Sequence, residues 1–215
     1  MKTVWMCAIG AVAIASAAQA GIVSVGGDAQ WIAAPADARI NALTSSEFVR
    51  VWNEQQGVAV RSGGLTVDHD GTPGLVNNNS QLSDIVIAAG QLVSSHYIHF
   101  DSPGTASASA KGFVTFDQDI IGVIVRGDRR DDGRNRLDQS DWLSSGTLYS
   151  DGIRNRGMEL GNQEFFQISG DRRSIAFSFN IANPGDYIRV ITVPSPGSAA
   201  LAVIGGLVIA RRRRA

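Results

Sequence analysis

The sequence has a single cysteine, Cys7, which lies in the apolar stretch at the start of the chain. The remainder of the protein therefore has no thiol with which to form a disulfide bond or a cysteine-ligated metal site. Its stability must come from burial of an apolar core or from bound ions.

Lysine is also scarce, since Lys111 is the only one after Lys2. The 19 basic residues include Lys2 and the four arginines 211–214; without these, fourteen basic residues face 20 acidic ones, a net charge of −6. An acidic body of this kind argues against nucleic acid as a partner. Its positive charge is almost all arginine, which suits planar hydrogen bonding to carboxylates.

Motifs of nucleophilic catalysis are missing: there is no Gly-x-Ser-x-Gly and no Cys–His pair. The glycine pairs at 26–27 and 63–64 begin no phosphate-binding pattern. Asp117 and Asp119 form a candidate acid–base pair for glycoside cleavage, which requires two carboxylates about 5–9.5 Å apart across a groove. The sequence favours a non-enzymatic protein, with a glycan-active enzyme as an alternative.

The first twenty residues have the layout of a secretory signal peptide. Lys2 precedes an apolar stretch at 4–18, and Ala18-Gln19-Ala20 supplies the small residues that signal peptidase requires. We expect cleavage after Ala20. The apolar stretch is too short to span a bilayer comfortably and no stop-transfer pattern follows it.

The last 23 residues, 193–215, have three parts in a fixed order. Val193-Pro194-Ser195-Pro196 precedes an apolar run at 197–210, which is followed by Arg211, Arg212, Arg213 and Arg214. Fourteen residues rise about 21 Å as a helix, against a hydrocarbon core of about 30 Å, so this segment is a marginal membrane anchor. The arginines would stay in the cytoplasm and hold the body outside.

This tail resembles the bacterial PEP-CTERM sorting signal, in which a Pro-Glu-Pro motif precedes a short apolar helix and a basic cluster. Ser195 stands where that family usually has glutamate. Segments 48–58, 96–101 and 114–124 also resemble a recurrent group of PEP-CTERM proteins. The resemblance implies that an exosortase-type membrane protease cuts near the motif and releases the protein to the cell surface or the exopolysaccharide matrix. It implies no biochemical activity for the body, and an uncut single-pass anchor is the alternative.

The body, residues 21–192, reads as one β-rich domain with a single core. Residues 174–181 alternate between apolar and polar positions with a period of two, which predicts a half-buried strand. A turn at 183–186 and a strand at 187–193 would complete a closing hairpin. Short helical turns fit only at 36–46 and 135–143. Further strands are expected at 47–55, 57–60, 83–88, 92–100, 112–116, 120–126 and 164–169, with an edge strand at 21–25. We predict an all-β fold, an antiparallel β-sandwich of jelly-roll type.

A loop at 127–163 without strand pattern is rich in both aspartate and arginine. A loop of this length in a compact domain is usually functional or mobile. One hypothesis is a calcium site built from Asp131, Asp132, Asp138 and Asp141, although their spacing matches no EF-hand. The default interpretation is that the aspartates form weak surface ion pairs with the arginines of the same loop.

Aromatic and histidine side chains supply the remaining candidates. Trp142 and Tyr149 could stack on a sugar ring, or they could anchor the loop to the core. His96 and His99 lie three apart on a predicted strand, so they should face opposite sides and cannot share one metal ion. The acidic neighbours of His69, at 68 and 70, would share a face if the backbone there is extended.

The sequence thus leads to two hypotheses of different classes. The first is an exported surface or matrix protein with a structural or adhesive role, tethered by its C-terminal helix before processing. The second is a carbohydrate-binding module that holds a matrix polysaccharide through Trp142, Tyr149 and the acidic loop.

Overall fold

The computed structural model describes residues 21–127, 136–150, 156–161, 163–181 and 185–194. These residues form one α-helix, α1 (Arg136–Ser140), which continues into a 3₁₀ turn at Asp141–Leu143, and a second 3₁₀ turn at Asn79–Gln81. They also form thirteen strands: β1 Ile22–Gly27, β2 Ala29–Trp31, β3 Val49–Asn53, β4 Val58–Ala59, β5 Leu65–Val67, β6 Gly74–Val76, β7 Ile85–Ile87, β8 Leu92–Phe100, β9 Ala108–Phe116, β10 Ile120–Ile124, β11 Phe165–Ile168, β12 Ser174–Ile181 and β13 Asp186–Thr192.

The strands build two large sheets that face each other. The five-stranded sheet has the order β1-β9-β12-β11-β6, and the six-stranded sheet has the order β10-β13-β8-β3-β2, with β4 also paired to β8. Strands β5 and β7 form a separate pair. Every pairing between these strands is antiparallel except that of β2 with β3. The predicted all-β sandwich is confirmed, and the chain crosses between the sheets repeatedly, as in a jelly roll.

The first core lies between the two sheets. Strand β12 shows the predicted alternation most clearly, because Ile175, Phe177, Phe179 and Ile181 are each at most 2% exposed and belong to this core. Asn180, which points the other way, is exposed. The outer face of the five-stranded sheet is therefore in contact with solvent, as period-two sequences predict.

A second core covers the outer face of the six-stranded sheet. Strand β8 is buried on both faces: Ile98 and Phe100 belong to the first core, whereas Val93 and Tyr97 belong to the second. Connecting segments complete this second core with the side chains of Leu65, Leu137 and Leu143. The domain thus has three layers and two cores, where the sequence analysis expected one core.

The predicted hairpin between the last two strands is wrong. Strand β12 pairs with β9 and β11 in the five-stranded sheet, whereas β13 pairs with β10 and β8 in the other sheet. Each strand already has a neighbour on both edges, so the two cannot pair with each other. Gly185, just before β13, has φ 77°, a left-handed conformation that glycine adopts without strain.

The long strands were predicted more accurately than most of the short ones. Strands β8 and β12 have the predicted bounds, β1 lies at a sheet edge as expected, and β9 begins at Ala108 rather than at 112. The helical segment predicted at 135–143 is confirmed by α1 and its 3₁₀ turn. Residues 36–46 form turns and bends instead of a helix, with Asn41 at φ 63°. Strands β2, β5 and β6 were not predicted, because three residues are too few to show a period.

Candidate functional site: a buried charge network under the long loop

The described parts of the long loop pack onto the outer face of the six-stranded sheet. Leu137 and Leu143 insert into the second core. The side-chain amide of Gln55 donates hydrogen bonds to the carbonyl oxygens of Trp142 and Ser144, at 3.0 and 2.8 Å. The loop is therefore held to the sheet by both apolar and polar contacts.

Arg189 is the centre of the polar contacts beneath this loop. It lies in the middle of β13 on the same face as Tyr187 and Ile191, and its side chain is fully buried. Its Nε and Nη2 atoms donate to the two carboxylate oxygens of Glu54, at 2.8 and 2.9 Å. This two-point geometry is the strongest form of an arginine–carboxylate pair.

The other donors of Arg189 reach the long loop. Nη1 donates to the carbonyl oxygen of Leu137 at 3.0 Å and to the hydroxyl oxygen of Ser140, and Nη2 also donates to Asp141 at 3.0 Å. With the two bonds to Glu54, these contacts use all five N–H donors of a guanidinium. One side chain thus connects β13, the residue after β3, and helix α1 with its 3₁₀ turn.

Glu54 is as fully satisfied as its partner. Each of its carboxylate oxygens accepts a second hydrogen bond, one from the Ser95 hydroxyl at 2.6 Å and one from the Tyr149 hydroxyl. Burial raises the pKa of Glu54, but the charge of Arg189 and these donors outweigh burial, so the pKa lies below its usual value. Glu54 is therefore ionised and has no free oxygen with which to act as a base.

A second arginine, Arg156, extends the network. Its Nη1 atom lies 2.6 Å from both Asp138 and Asp141, and its Nη2 atom donates to Asp141 at 2.8 Å and to the Tyr97 hydroxyl at 3.1 Å. The side chain is only 2% exposed. The expectation of weak surface ion pairs is thus corrected for Arg156, whose guanidinium is buried and whose two aspartate partners are only 17% and 22% exposed. We call Glu54, Asp138, Asp141, Arg156 and Arg189 the charge network.

The network bears directly on the calcium hypothesis for this loop. Asp138 and Asp141 share one guanidinium, which takes the place that a cation would need between them. Asp131 and Asp132 lie outside the described residues. A calcium ion bound by all four aspartates remains a prediction, and it would have to displace Arg156.

The two aromatic candidates have different surroundings. The Tyr149 ring lies 4.6 Å from that of Tyr97 and 5.0 Å from the guanidinium carbon of Arg156, so it anchors the loop to the second core. Trp142 is half-buried, and the guanidinium carbon of Arg61 lies 4.7 Å from its ring centre. Tyr149 is also half-buried, but its hydroxyl is bonded to Glu54, whereas Trp142 lines a pocket and is the better placed of the two to contact a ligand.

The two histidines of β8 lie on opposite faces, as predicted. His96 packs on Phe116 of the first core, 4.5 Å between ring centres, whereas His99 packs on Tyr187 of the second core at 4.9 Å. His96 also contacts the Asn53 side chain at 2.7 Å. Burial lowers the pKa of His96 to about 3 and that of His99 to about 4, so both are neutral.

The acidic neighbours of His69 do not share a face. Asp68 is buried and accepts hydrogen bonds from the backbone N–H groups of Val125 and Arg126, at 2.9 and 2.8 Å. Asp70 is exposed and accepts from the backbone of Thr72. His69 itself forms an isolated antiparallel bridge with Val123, and its two acidic neighbours differ in burial and in hydrogen-bond partners.

Asp117 and Asp119 also have separate partners. The backbone N–H of Gly21 donates to Asp117 at 3.0 Å, and Arg173 pairs with Asp119 at 3.3 Å. Each carboxylate therefore has a structural contact, and the idea of a glycosidase pair gains no support from them.

No role was predicted from the sequence for Glu54 or Arg189, whereas Arg156 is one of the loop arginines that were expected to pair with the loop aspartates. One signal was present for Arg189: it stands between Ile188 and Val190 in a predicted strand that is apolar on both sides. A strand with apolar residues at both odd and even positions is typically buried on both faces, so an arginine within it must be paired. Nothing local indicated that Glu54 would be the partner.

We expect Arg189→Met to lower the free energy of unfolding by about 3–5 kcal/mol, because Glu54 would stay buried without its counter-charge. Urea denaturation measures this loss. The matched control is Arg173→Met, whose pair with Asp119 has side chains 52% and 48% exposed. That change should cost less than about 1 kcal/mol. Equal losses in the two variants would contradict the role given to Arg189.

A second prediction concerns the loss of stability at low pH. The unfolded pKa of histidine is about 6.5, and the folded pKa of His96 is depressed, so its contribution to stability is present above pH 6.5 and is lost as the pH falls below it. Between pH 6.5 and 4.5 this loss is about 2–3 kcal/mol. The free energy of unfolding should therefore fall less in His96→Gln than in the unchanged protein over this pH interval, and the difference should be about 2–3 kcal/mol. Parallel pH profiles for the two proteins would show that His96 does not titrate as described.

No helix in the described residues is long and apolar enough to cross a membrane. The predicted signal peptide and the apolar run of the predicted sorting tail lie outside the described residues. No family model, curated protein or solved structure matches this chain. The interpretation of its function therefore rests on its own residues.

Proposed function

We propose that this protein is exported and presented at the cell surface or in the extracellular matrix, where it has a structural or adhesive role. The observation that supports this most is the position of the residues with which the sandwich begins and ends, Gly21 and Val193. Both are fastened to the same turn, residues 117–119, between β9 and β10. The predicted signal peptide and the predicted sorting tail would therefore leave the domain side by side.

The contacts at this turn are specific. Gly21 donates its N–H to the Asp117 carboxylate at 3.0 Å and accepts the N–H of Asp117 at 3.1 Å. Val193, the first residue after β13, donates to the carbonyl oxygen of Asp119 at 3.1 Å. Cleavage after Ala20 would turn the Gly21 nitrogen into an ammonium group beside a carboxylate, which strengthens that hydrogen bond.

The order of strands limits where the tail can be cut. Strand β13 ends at Thr192 and lies between β10 and β8, so a cut before its end would remove a central strand of the sheet. A cut in the Val193-Pro194-Ser195-Pro196 motif would leave all thirteen described strands in place. This supports processing by an exosortase-type protease at the motif, after transient insertion of the apolar tail.

The charge network favours a structural role over catalysis. Glu54 and Arg189 have each of their polar atoms engaged within the protein. Neither side chain can transfer a proton or bind a ligand without breaking contacts that hold the long loop. These groups stabilise the domain.

Intact-mass measurement of the protein from culture medium and from membranes tests the proposal. We expect the mature form to begin at Gly21 and to lack Arg211–Arg214. Replacing these four arginines with alanine should leave the tail uncut, while the Tm of the body stays unchanged. Full-length protein confined to the cytoplasm would contradict the proposal, and a mature form that keeps its tail would favour the permanent anchor.

Glycan binding is a second candidate function, supported by the surroundings of Trp142. This side chain lines a cavity of about 210 Å³ together with Thr66, Arg136 and Gln139. An aromatic side chain beside a few polar groups is a common arrangement in small-molecule sites.

We expect Trp142→Ala to abolish binding on an array of matrix polysaccharides, if the cavity takes a sugar. Trp31→Ala is the matched control, because Trp31 is 52% exposed on the edge strand β2 and should not contribute. Equal binding by the two variants, or no binding by the unchanged protein, would eliminate this second function.

A further inference from the structure

Three carboxylates meet at the start of β13, the end opposite to the turn at 117–119 that holds Gly21 and Val193. Asp186 is the first residue of β13, Glu164 lies just before β11, and Glu159 lies in the described segment 156–161. One oxygen from each of the three lies within 4.8 Å of the other two. Their spacing in the sequence gave no indication of this, because strand order brings them together.

Two of these side chains have buried oxygens that accept no hydrogen bond. Asp186 is 3% exposed and Glu164 is 8% exposed. The Asp186 Oδ2 and Glu164 Oε2 atoms are both shielded from solvent and have no donor. The other oxygen of Glu164 accepts a hydrogen bond from the backbone of Asn180 at 3.3 Å. A buried carboxylate oxygen without a donor is costly, and in native proteins it usually indicates an ion or water.

The ionisable groups around these oxygens are all acidic. Burial raises the pKa of Asp186 well above its usual value, and the charges of Glu164 and Glu159 raise it further. Burial also raises the pKa of Glu164. By contrast, Glu54 and Asp141 each have an arginine within 3.0 Å. In the described part of the chain, neither Glu164 nor Asp186 has such a partner.

We propose that Glu159, Glu164 and Asp186 bind one calcium ion. Calcium takes six to eight oxygen ligands at about 2.3–2.6 Å, so ligands on opposite sides of the ion are about 4.6–5.2 Å apart, which the three carboxylates satisfy. Glu159 and Glu164 border an open pocket of about 360 Å³, lined also by Gln163 and Asn180, whose amide oxygens and solvent water complete the ligand set.

The position of the site gives the ion a structural task. Glu164 leads into β11 of the five-stranded sheet, and Asp186 opens β13 of the six-stranded sheet. A calcium ion would therefore join the two sheets directly, at the end where the chain crosses from β12 in one sheet to β13 in the other. This site is distinct from the calcium site predicted in the long loop, and it does not depend on the sorting of the chain.

Calcium titration of the full chain tests the site. After dialysis against EDTA, calorimetry should show one calcium ion bound per molecule. Calcium at 100 times the Kd should raise the Tm by about 5–10 °C, because only the folded state presents the site. Sodium chloride at the same ionic strength should leave the Tm unchanged, and magnesium should act more weakly.

The variants separate binding from folding. Asp186→Asn should weaken calcium binding at least tenfold, and without calcium it should match or exceed the Tm of the unchanged protein, because it removes repulsion among buried carboxylates. Glu164→Gln should behave in the same way. Glu47→Gln, at an exposed acid elsewhere, is the matched control and should keep the full calcium response.

Two results would overturn the proposal. One is the absence of any heat or Tm change with calcium in the unchanged protein. The other is a calcium response that survives in both Asp186→Asn and Glu164→Gln. If the response is instead lost in Asp138→Asn, the ion binds in the long loop and the site proposed here is wrong.

Discussion

The buried pair of Glu54 and Arg189 is the interaction on which the second core depends. Both faces of the six-stranded sheet are covered, and the outer cover consists of the β5–β7 strand pair together with connecting segments such as the long loop. Polar contacts also fix the position of the long loop, in addition to the burial of Leu137 and Leu143. Arg189 supplies them from the centre of the sheet, with one donor group for each of five acceptors. A fully satisfied network of this kind favours one arrangement of the loop over its alternatives.

The two ends of the sandwich have different properties. At one end, the turn at 117–119 holds both Gly21 and Val193, so the signals that we expect to be removed leave from one place. At the other end, about 20 Å away along β13, lie Glu159, Glu164 and Asp186. The body, residues 21–192, contains no cysteine, so no disulfide bond can join its sheets, whereas an ion bound at this second end would do so.

The sequence predicted those features that depend on local pattern. The alternation in β12 identified a half-buried strand, and histidines three apart in β8 were correctly placed on opposite faces. The features that depend on strand order could not be predicted. Residues 174–193 look like a hairpin, and only the neighbours contributed by β8, β9, β10 and β11 reveal that the two strands belong to different sheets. The partner of Arg189 is likewise 135 residues away, too distant for any spacing rule to identify it.

Amide hydrogen exchange tests most directly whether Arg189 holds the loop. In the unchanged protein, the amides of Ser144 and Leu148, which are hydrogen-bonded to Asp141 and Ala36, should exchange nearly as slowly as those of β8. In Arg189→Met they should become fast, while β12 amides stay slow. Fast exchange throughout 136–150 in the unchanged protein, or the same slow exchange in the variant, would contradict the account.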